Sequence, residues 1–551
     1  MEGFVNKNNS FDSINGTLRK KSVLLLIVDG WGLSPSWGGN AIAFANPINF
    51  HKLWKTYPHV VLQAFRGITD QKGNVGNSEI GHASIGTGRI VKQDITEINE
   101  AIKRGYFFQN PVLLEAFNKI RKFKSNLHLI GLLSDGGVHS HFDHLVALLR
   151  LAKLEKINNV YIHIISDGID TPDRSAINYI SKLKKIIKNL GVGKIASICG
   201  RYFAMDKSGR TNLIEKAYLL QTKGKGNYSN DIDTTLKKYY SQGITDNMIP
   251  PTIISEGNNI NIVKDYDSLI FFNFRADRAT DLTRAYVDLK YFRNIVGRKH
   301  RLIKDLYFVS LTSYMLEDGV KVNIAFPSVK IEDSLSAMIS RAGLKQFHVA
   351  ETEKSAHVSY FFNGGVQEAY QGEDRFFVKS PNVKSYSQIP QMSTQKLADV
   401  IIKAIKSENY HFIVANIANV DMVAHTGDIQ ATTSAIRFTD SMIGKIVQAN
   451  HNNITIITSD HGNAEEIIPY KSISNRATFH TTNPVPFIFI KKNLRKDLIK
   501  NAIVSNHVPM YDVLESPYNL ADIAPTILDV FNINKPQGMT GQSLLKTIGY
   551  K

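Results

Sequence analysis

Residues 23–32 read VLLLIVDGWG: six apolar, largely β-branched and leucine positions with no alternation, then an aspartate and two glycines around a tryptophan. An uninterrupted apolar run that short predicts a strand buried on both faces, as in a parallel sheet, rather than a half-exposed one. The same pattern recurs at 127–133, 160–165, 194–198, 269–274, 412–417, 454–458 and 485–490. Between these runs, 141–156, 174–189, 331–342, 395–407 and 432–449 carry helical periodicity. Strand alternating with helix predicts an α/β protein whose parallel sheet is covered by helices on both sides. With 551 residues the chain is too long for one ordinary core, so two domains of unequal or interrupted layout are expected.

Composition narrows the function classes. The hydrophobic fraction of 43% and charged fraction of 21% are those of an ordinary globular protein. The net charge of +17 fits an anionic substrate as well as a nucleic acid or membrane surface. The lysines are spread along the chain, as in 182–188 and 491–500, at the spacing of solvated helix faces. No zinc-finger spacing or RNA-binding aromatic motif accompanies them, which argues against nucleic acid. Cys199 is the one cysteine, which rules out an internal disulfide and fits a reducing compartment. Residues 1–20 are polar and read as a loose extension without a signal-peptide centre. A cytoplasmic protein independent of membranes is expected.

Reactive residues collect just after the predicted strands, where open α/β sheets bind ligands. Asp29 follows 23–28, Asp135 follows 127–133, and Asp460 follows 454–458. A single aspartate there is usually a turn or cap residue; several together point to chemistry. Asp421 and His425 stand four apart, on one face of a helical turn. Asp460 and His461 are adjacent in SDHGN, and His480 precedes the strand at 485–490. Three aspartates and three histidines suit one or two divalent cations of mixed O/N ligation, for which Mn²⁺ and Zn²⁺ both qualify. Two such cations could clamp a phosphoryl group.

Ser78, in GNSEIGH (76–82), is the nucleophile candidate, although alone it reads as a helix cap. Arg275 and Arg278 in RADR, and Arg201 after 194–198, offer guanidinium groups for phosphate or carboxylate. His139, His141 and His144 spell HxHxxH, but with no thiolate and only Asp143 nearby, capping is the preferred reading over zinc.

Taken in order, VDGWG, GNSEIGH, SDGGVHSH, GRYFAMD, FFNFRADRA, AETEKSAHVSYFFNGG, VDMVAHTG, TSDHGN, HTTNPVP, ADIAPT and MTGQSLL span residues 28–545. The chain resembles the cofactor-independent (2,3-bisphosphoglycerate-independent) phosphoglycerate mutases, whose metal-binding half is shared with the wider alkaline phosphatase superfamily. The resemblance implies an alkaline-phosphatase-like three-layer α/β/α domain (21–92 and 329–551) with an inserted α/β substrate-binding transferase domain (93–328). It implies interconversion of 3-phosphoglycerate and 2-phosphoglycerate through phosphorylated Ser78, on two Mn²⁺ and with no 2,3-bisphosphoglycerate. Asp421, His425 and His480 fall on one manganese site, and Asp29, Ser78, Asp460 and His461 on the other. His139, Asp170, Arg201, Lys207, Arg275, Arg278 and Lys354 fall on substrate-contacting positions. The resemblance also implies a monomer that closes its domains over a retained glycerate. A related metal-dependent phosphomutase, such as a phosphopentomutase, or a phosphatase of altered substrate is the alternative; RADRA and AETEK argue against it.

Two departures stand out against the family pattern. Ile169, in Gly168-Ile169-Asp170, takes a position where the family usually has Arg, and Lys207 takes another. Loss of a guanidinium removes planar bidentate recognition, so the glycerate side of the site is where this chain is expected to differ. Arg210 is the nearby cation that could compensate.

Overall fold

In the computed structural model, the described residues are 22–550 except 36, 65–75, 207–208, 256, 258, 298–300, 315, 317–318, 321, 328–329, 469–479 and 495–515. The extension at 1–20 and Lys207 therefore lie outside the described residues. The chain divides into two units, Met1–Lys92 with Val329–Lys551, and Gln93–Ser328.

The first unit is built on a seven-stranded sheet. Its spatial order is Glu373–Val378, Gln346–Glu351, Phe412–Ile417, Val23–Val28, Ile454–Thr458, Val485–Ile490 and His59–Leu62. Val23–Val28 pairs in parallel with both Phe412–Ile417 and Ile454–Thr458. Successive residues of this central strand feed opposite cores. Leu24, Leu26 and Val28 pack with Ile436 and Ile443 of the helix Ile429–Ala449. Val23, Leu25 and Ile27 pack with Ile523 and Ile527 of the helix Ile523–Val530. This is the helix–sheet–helix layering that a doubly buried strand demands. The sequence had suggested a parallel sheet, but this one is mixed. Val485–Ile490 runs antiparallel to both Ile454–Thr458 and His59–Leu62.

The second unit carries an eight-stranded sheet in the order Asn323–Phe326, Tyr307–Thr312, Ser268–Phe271, Leu127–Leu133, Val160–Ser166, Lys194–Gly200, Thr252–Ile254 and Asn227–Ser229. Here too the central strand serves two cores: Leu127, Leu129 and Leu133 face one, Ile130 and Leu132 the other. Thr252–Ile254 is antiparallel to Lys194–Gly200.

Several expected boundaries move for local reasons. The strand expected over 269–274 is Ser268–Phe271. Beyond it, Asn273 turns its side chain to the Leu132 N–H (2.9 Å) and the Phe274 N–H bonds to the His139 carbonyl (2.9 Å). The helix expected over 331–342 is Leu335–Arg341, because Ser334 caps it by accepting from the Ala337 N–H. The helix expected from 141 begins at Phe142, with His141 as its N-cap accepting from the Asp143 N–H.

Candidate metal centre

The carboxyl edge of the first sheet brings most of the expected ligands together. Asp29 leaves Val23–Val28, Asp421 sits on the turn of helix Asn419–Ala424 after Phe412–Ile417, and Asp460 leaves Ile454–Thr458. Lys354 lies just beyond Gln346–Glu351. Val485–Ile490 runs the other way, so its entry, where His480 stands, meets the exits of its neighbours. Each of these residues except His480 and His425 is at most a few per cent exposed.

Ser78 is the first residue of the helix Ser78–Thr87, and it is not the cap. Asn77 takes that role by accepting from the Ile80 N–H (2.9 Å), which leaves the serine hydroxyl to the site. Ser78 Oγ lies 2.9 Å from His461 Nε2, 2.7 Å from Lys354 Nζ and 3.4 Å from Asp29 Oδ1. The helix can approach because Gly81 has no side chain: a Cβ there would lie 2.5 Å from the Asp460 carbonyl oxygen.

Lys354 Nζ directs its three N–H donors at Ser78 Oγ, Asp29 Oδ1 (3.0 Å) and Asp421 Oδ2 (2.8 Å). Burial favours its neutral form, but Asp29, Asp421 and Asp460 outweigh that and hold it firmly protonated. One ammonium serves three buried carboxylates. Burial, and next the charge of Asp460, push the Asp29 carboxyl up to about 6. Burial also acts on Asp460, yet His461, His82 and Lys354 overcome it and keep that group ionised.

Two features of this geometry fit divalent cations. First, Asp460 Oδ2 is buried and makes no hydrogen bond among the described residues, although His82 Nδ1 is 3.2 Å away and His461 Nε2 3.4 Å. Second, His425 Nε2 and His480 Nε2 face each other at 3.0 Å, with Asp421 Oδ1 at 3.4 and 3.6 Å. His480 gives its Nδ1–H to the Gly76 carbonyl (2.8 Å), which turns the Nε2 lone pair inward. Burial, then His461, lowers its pKa to about 3, so the ring is neutral as a ligand must be. By distance alone, ligand atoms of Asp421, His461 and His480 lie within 4.8 Å of one another, as do those of Asp29, His82 and Asp460. His461 stands between the sets, being also 3.4 Å from Asp29 Oδ1.

Sequence reasoning missed three residues that hold this centre. His82 donates from Nδ1 to the Ser78 carbonyl (2.8 Å) and accepts at Nε2 from Asn416 Nδ2 (3.0 Å). Asn416 Nδ2 also reaches Asp29 Oδ2 (2.7 Å), and Asn463 Nδ2 reaches Asp421 Oδ1 (2.7 Å). Asn416 was the readable signal, a lone polar residue inside FIVANI.

The remaining expected residues sit at the carboxyl edge of the second unit's own sheet. Arg201 Nη1 donates to Asp167 Oδ1 (2.6 Å) and Asp170 Oδ2 (2.7 Å). His139 Nδ1 and Arg275 Nε each lie 3.5 Å from Asp277 Oδ1, and Arg278 donates to the Met205 carbonyl (3.3 Å). Ile169 is 63% exposed. Arg210 is engaged by Asp206 through Nε (2.9 Å) and lies over the Tyr202 ring at 4.8 Å. His144 is buried against Asn99, not poised as a ligand.

Residues 98–316 match the family described as the BPG-independent PGAM N-terminus. Over 533 residues the chain is 42% identical to a 2,3-bisphosphoglycerate-independent phosphoglycerate mutase from Picosynechococcus sp., covering 96% of this chain and 97% of that one. It is likewise 42% identical over 535 residues to the enzyme of that name from Clostridium botulinum, covering 96% and 100%. Among solved structures, phosphoglycerate mutase of Leishmania mexicana, crystallised at low cobalt concentration, shares the fold with a TM-score of 0.73 at 24% identity, covering 95% of this chain and 97% of that one.

Proposed function

This chain belongs to the 2,3-bisphosphoglycerate-independent phosphoglycerate mutase family, and on that premise we propose that it interconverts 3-phosphoglycerate and 2-phosphoglycerate through a phosphoserine on Ser78. The observation that carries this reading is the Ser78 hydroxyl, buried and within hydrogen-bond reach of Lys354, His461 and Asp29 at once. Two divalent cations, manganese in this proposal, would be held by Asp421, His425 and His480 and by Asp29, Ser78, Asp460 and His461. When bound, they supply the charge that lowers the pKa of the serine hydroxyl and stabilises the transferring phosphoryl group.

The residues divide the remaining work. Asn77 caps the helix so that Ser78 does not have to. His461 Nδ1 lies 3.3 Å from the Gly462 carbonyl, which leaves Nε2, 2.9 Å from Ser78 Oγ, as the atom that would hold a cation beside the hydroxyl. Lys354 places a fixed positive charge beside the attacking oxygen, an arrangement worth several kcal/mol in a water-poor site. His139, Asp170, Arg201, Arg275 and Arg278, with Lys207, are assigned to the substrate's anionic and hydroxyl groups. Glycerate stays bound while its other hydroxyl recovers the phosphoryl group from Ser78. The enzyme is proposed to act as a cytoplasmic monomer. Among the described residues no helix is long and apolar enough to cross a membrane.

An enolase-coupled assay with Mn²⁺ tests the assignment. Wild type should form 2-phosphoglycerate, and Ser78→Ala should fall to background and take up no acid-stable phosphate. Full activity in Ser78→Ala would remove the nucleophile. Release of inorganic phosphate in place of 2-phosphoglycerate would favour a phosphatase.

A further inference from the structure

Glu465 lies on the short turn Ala464–Glu466, is fully buried, and has no part in the chemistry above. Its Oε2 accepts from the Gly32 N–H (3.0 Å) and the Asn463 N–H (2.8 Å). Its Oε1 accepts from Asn483 Nδ2 (3.0 Å) and, through a short bond, from Thr481 Oγ1. These donors come from three separate stretches. Gly32 is three residues past Asp29, Asn463 is two past His461, and Thr481 adjoins His480. A backbone bridge between Gly462 and Thr481 ties the last two together.

The surroundings are shaped to this carboxylate. A Cβ on Gly32 would lie 2.2 Å from the Glu465 carboxyl carbon, and one on Gly462 would lie 2.3 Å from Oε1. The four donors to Glu465 are all neutral: two backbone N–H groups, an amide and a hydroxyl. A buried carboxylate without a cation is costly unless its lone pairs are filled; here four donors fill them, and each donor belongs to a ligand-bearing loop.

We infer that Glu465 is a positioning residue that clamps the Asp29, Asp460–His461 and His480 loops into one ligand set. It touches neither substrate nor cation; it fixes the backbone from which the ligands project. The inference rests on the two-cation reading of the centre. Outer-shell partners of this kind change metal affinity by roughly 10–100-fold.

The test is direct Mn²⁺ binding to the metal-free full chain, followed by electron paramagnetic resonance of free Mn²⁺, alongside the melting temperature in chelator. Glu465→Gln keeps the size and removes the charge. It should weaken Mn²⁺ binding by roughly 10–100-fold, with kcat recovering at saturating Mn²⁺ and the chelated melting temperature within a few degrees of wild type. Thr481→Val with Asn483→Leu cuts both side-chain ties to the His480 loop and should weaken one of two Mn²⁺ sites. A folded Glu465→Gln protein with wild-type Mn²⁺ affinity overturns the inference. If Glu465→Gln does not fold, wild-type affinity at both sites of the Thr481→Val, Asn483→Leu variant overturns it instead. Absence of Mn²⁺ binding by wild type would strike at the two-cation reading itself, which separates the two failures.

Discussion

Replacing Lys354 by Met should destabilise the metal-free protein far more than the metal-loaded one. Lys354 is 4% exposed, and its ammonium bonds at once to Asp29 and Asp421, with Asp460 adding to the field around it. Removing one partner from a buried ion pair costs about 3–5 kcal/mol, because the other is left uncompensated. Asp29 can relieve part of this by taking a proton, since burial and Asp460 already push it up to about 6. The lower end, about 3 kcal/mol, is therefore expected. The first unit has roughly 300 residues, for which the unfolding entropy is about 0.6 kcal/mol per kelvin, so its melting temperature should fall by about 5 °C. Calorimetry in chelator would measure this, and Mn²⁺ should then raise the melting temperature of Lys354→Met more than that of wild type, because divalent charge substitutes for the lost ammonium. Mutase turnover at saturating Mn²⁺ should still drop by about 10²–10³, the loss typical of removing one charge-stabilising donor. The reasoning is refuted if the chelated variant melts with wild type, or if Mn²⁺ shifts both proteins equally.

Other outcomes follow from the same geometry. Chelation should abolish mutase activity and re-addition of Mn²⁺ should restore it, read by the coupled assay; activity surviving exhaustive chelation contradicts the cation reading. Ile169→Arg should raise kcat/KM for 3-phosphoglycerate by about tenfold, the worth of one charge-assisted contact, because Ile169 is exposed and Arg210 is engaged by Asp206. An unchanged rate would mean that another cation already fills the role. Glu351 is buried against the single Ser393 N–H, which is shared between its two oxygens at the start of the next helix, and burial pushes its carboxyl up to about 7. Its contribution to stability is complete below the unfolded value of 4.5 and is lost as pH rises through 7. Glu351→Gln should therefore gain on wild type by up to about 3 kcal/mol between pH 4.5 and 8, measured as melting temperatures across that range; a pH-independent difference refutes it.

What could be read from the sequence was what burial writes into it. Runs such as VLLLIV and ITIIT are legible because a central parallel strand meets apolar layers on both faces. Edge strands leave a weaker mark: Asn227–Ser229 is three residues long, and Glu373–Val378 carries Glu, Asp and Arg. Strand direction leaves none, which is why antiparallel Val485–Ile490 looked like its parallel neighbours. At the centre, Asp460 and His461 were readable because they leave a core strand together. Glu465 was not, since beside Glu466 it looks like one of two solvated acids. Only the fold reveals that Gly32, Asn463 and Thr481 enclose it.

The spatial order of the strands also explains the electrostatics of the centre. From Gln346–Glu351 across Phe412–Ile417, Val23–Val28 and Ile454–Thr458 to Val485–Ile490, successive neighbours deliver Lys354, Asp421, Asp29, Asp460 and His480. Neighbouring strands are about 4.8 Å apart, so each ligand-bearing turn is set beside the next by backbone pairing, before any side-chain contact is made. The strand earliest in the chain lies in the middle, and its aspartate is consequently flanked by two others. Burial first, and that flanking next, raise Asp29, while Asp421, beside Lys354 and His425, is held down. Without cations, the row carries more negative charge than one ammonium can balance. A sheet that fixes three carboxylates side by side and supplies a single lysine offers a row suited to divalent charge, so on the proposed two-cation reading the strand order is what builds the ligand set.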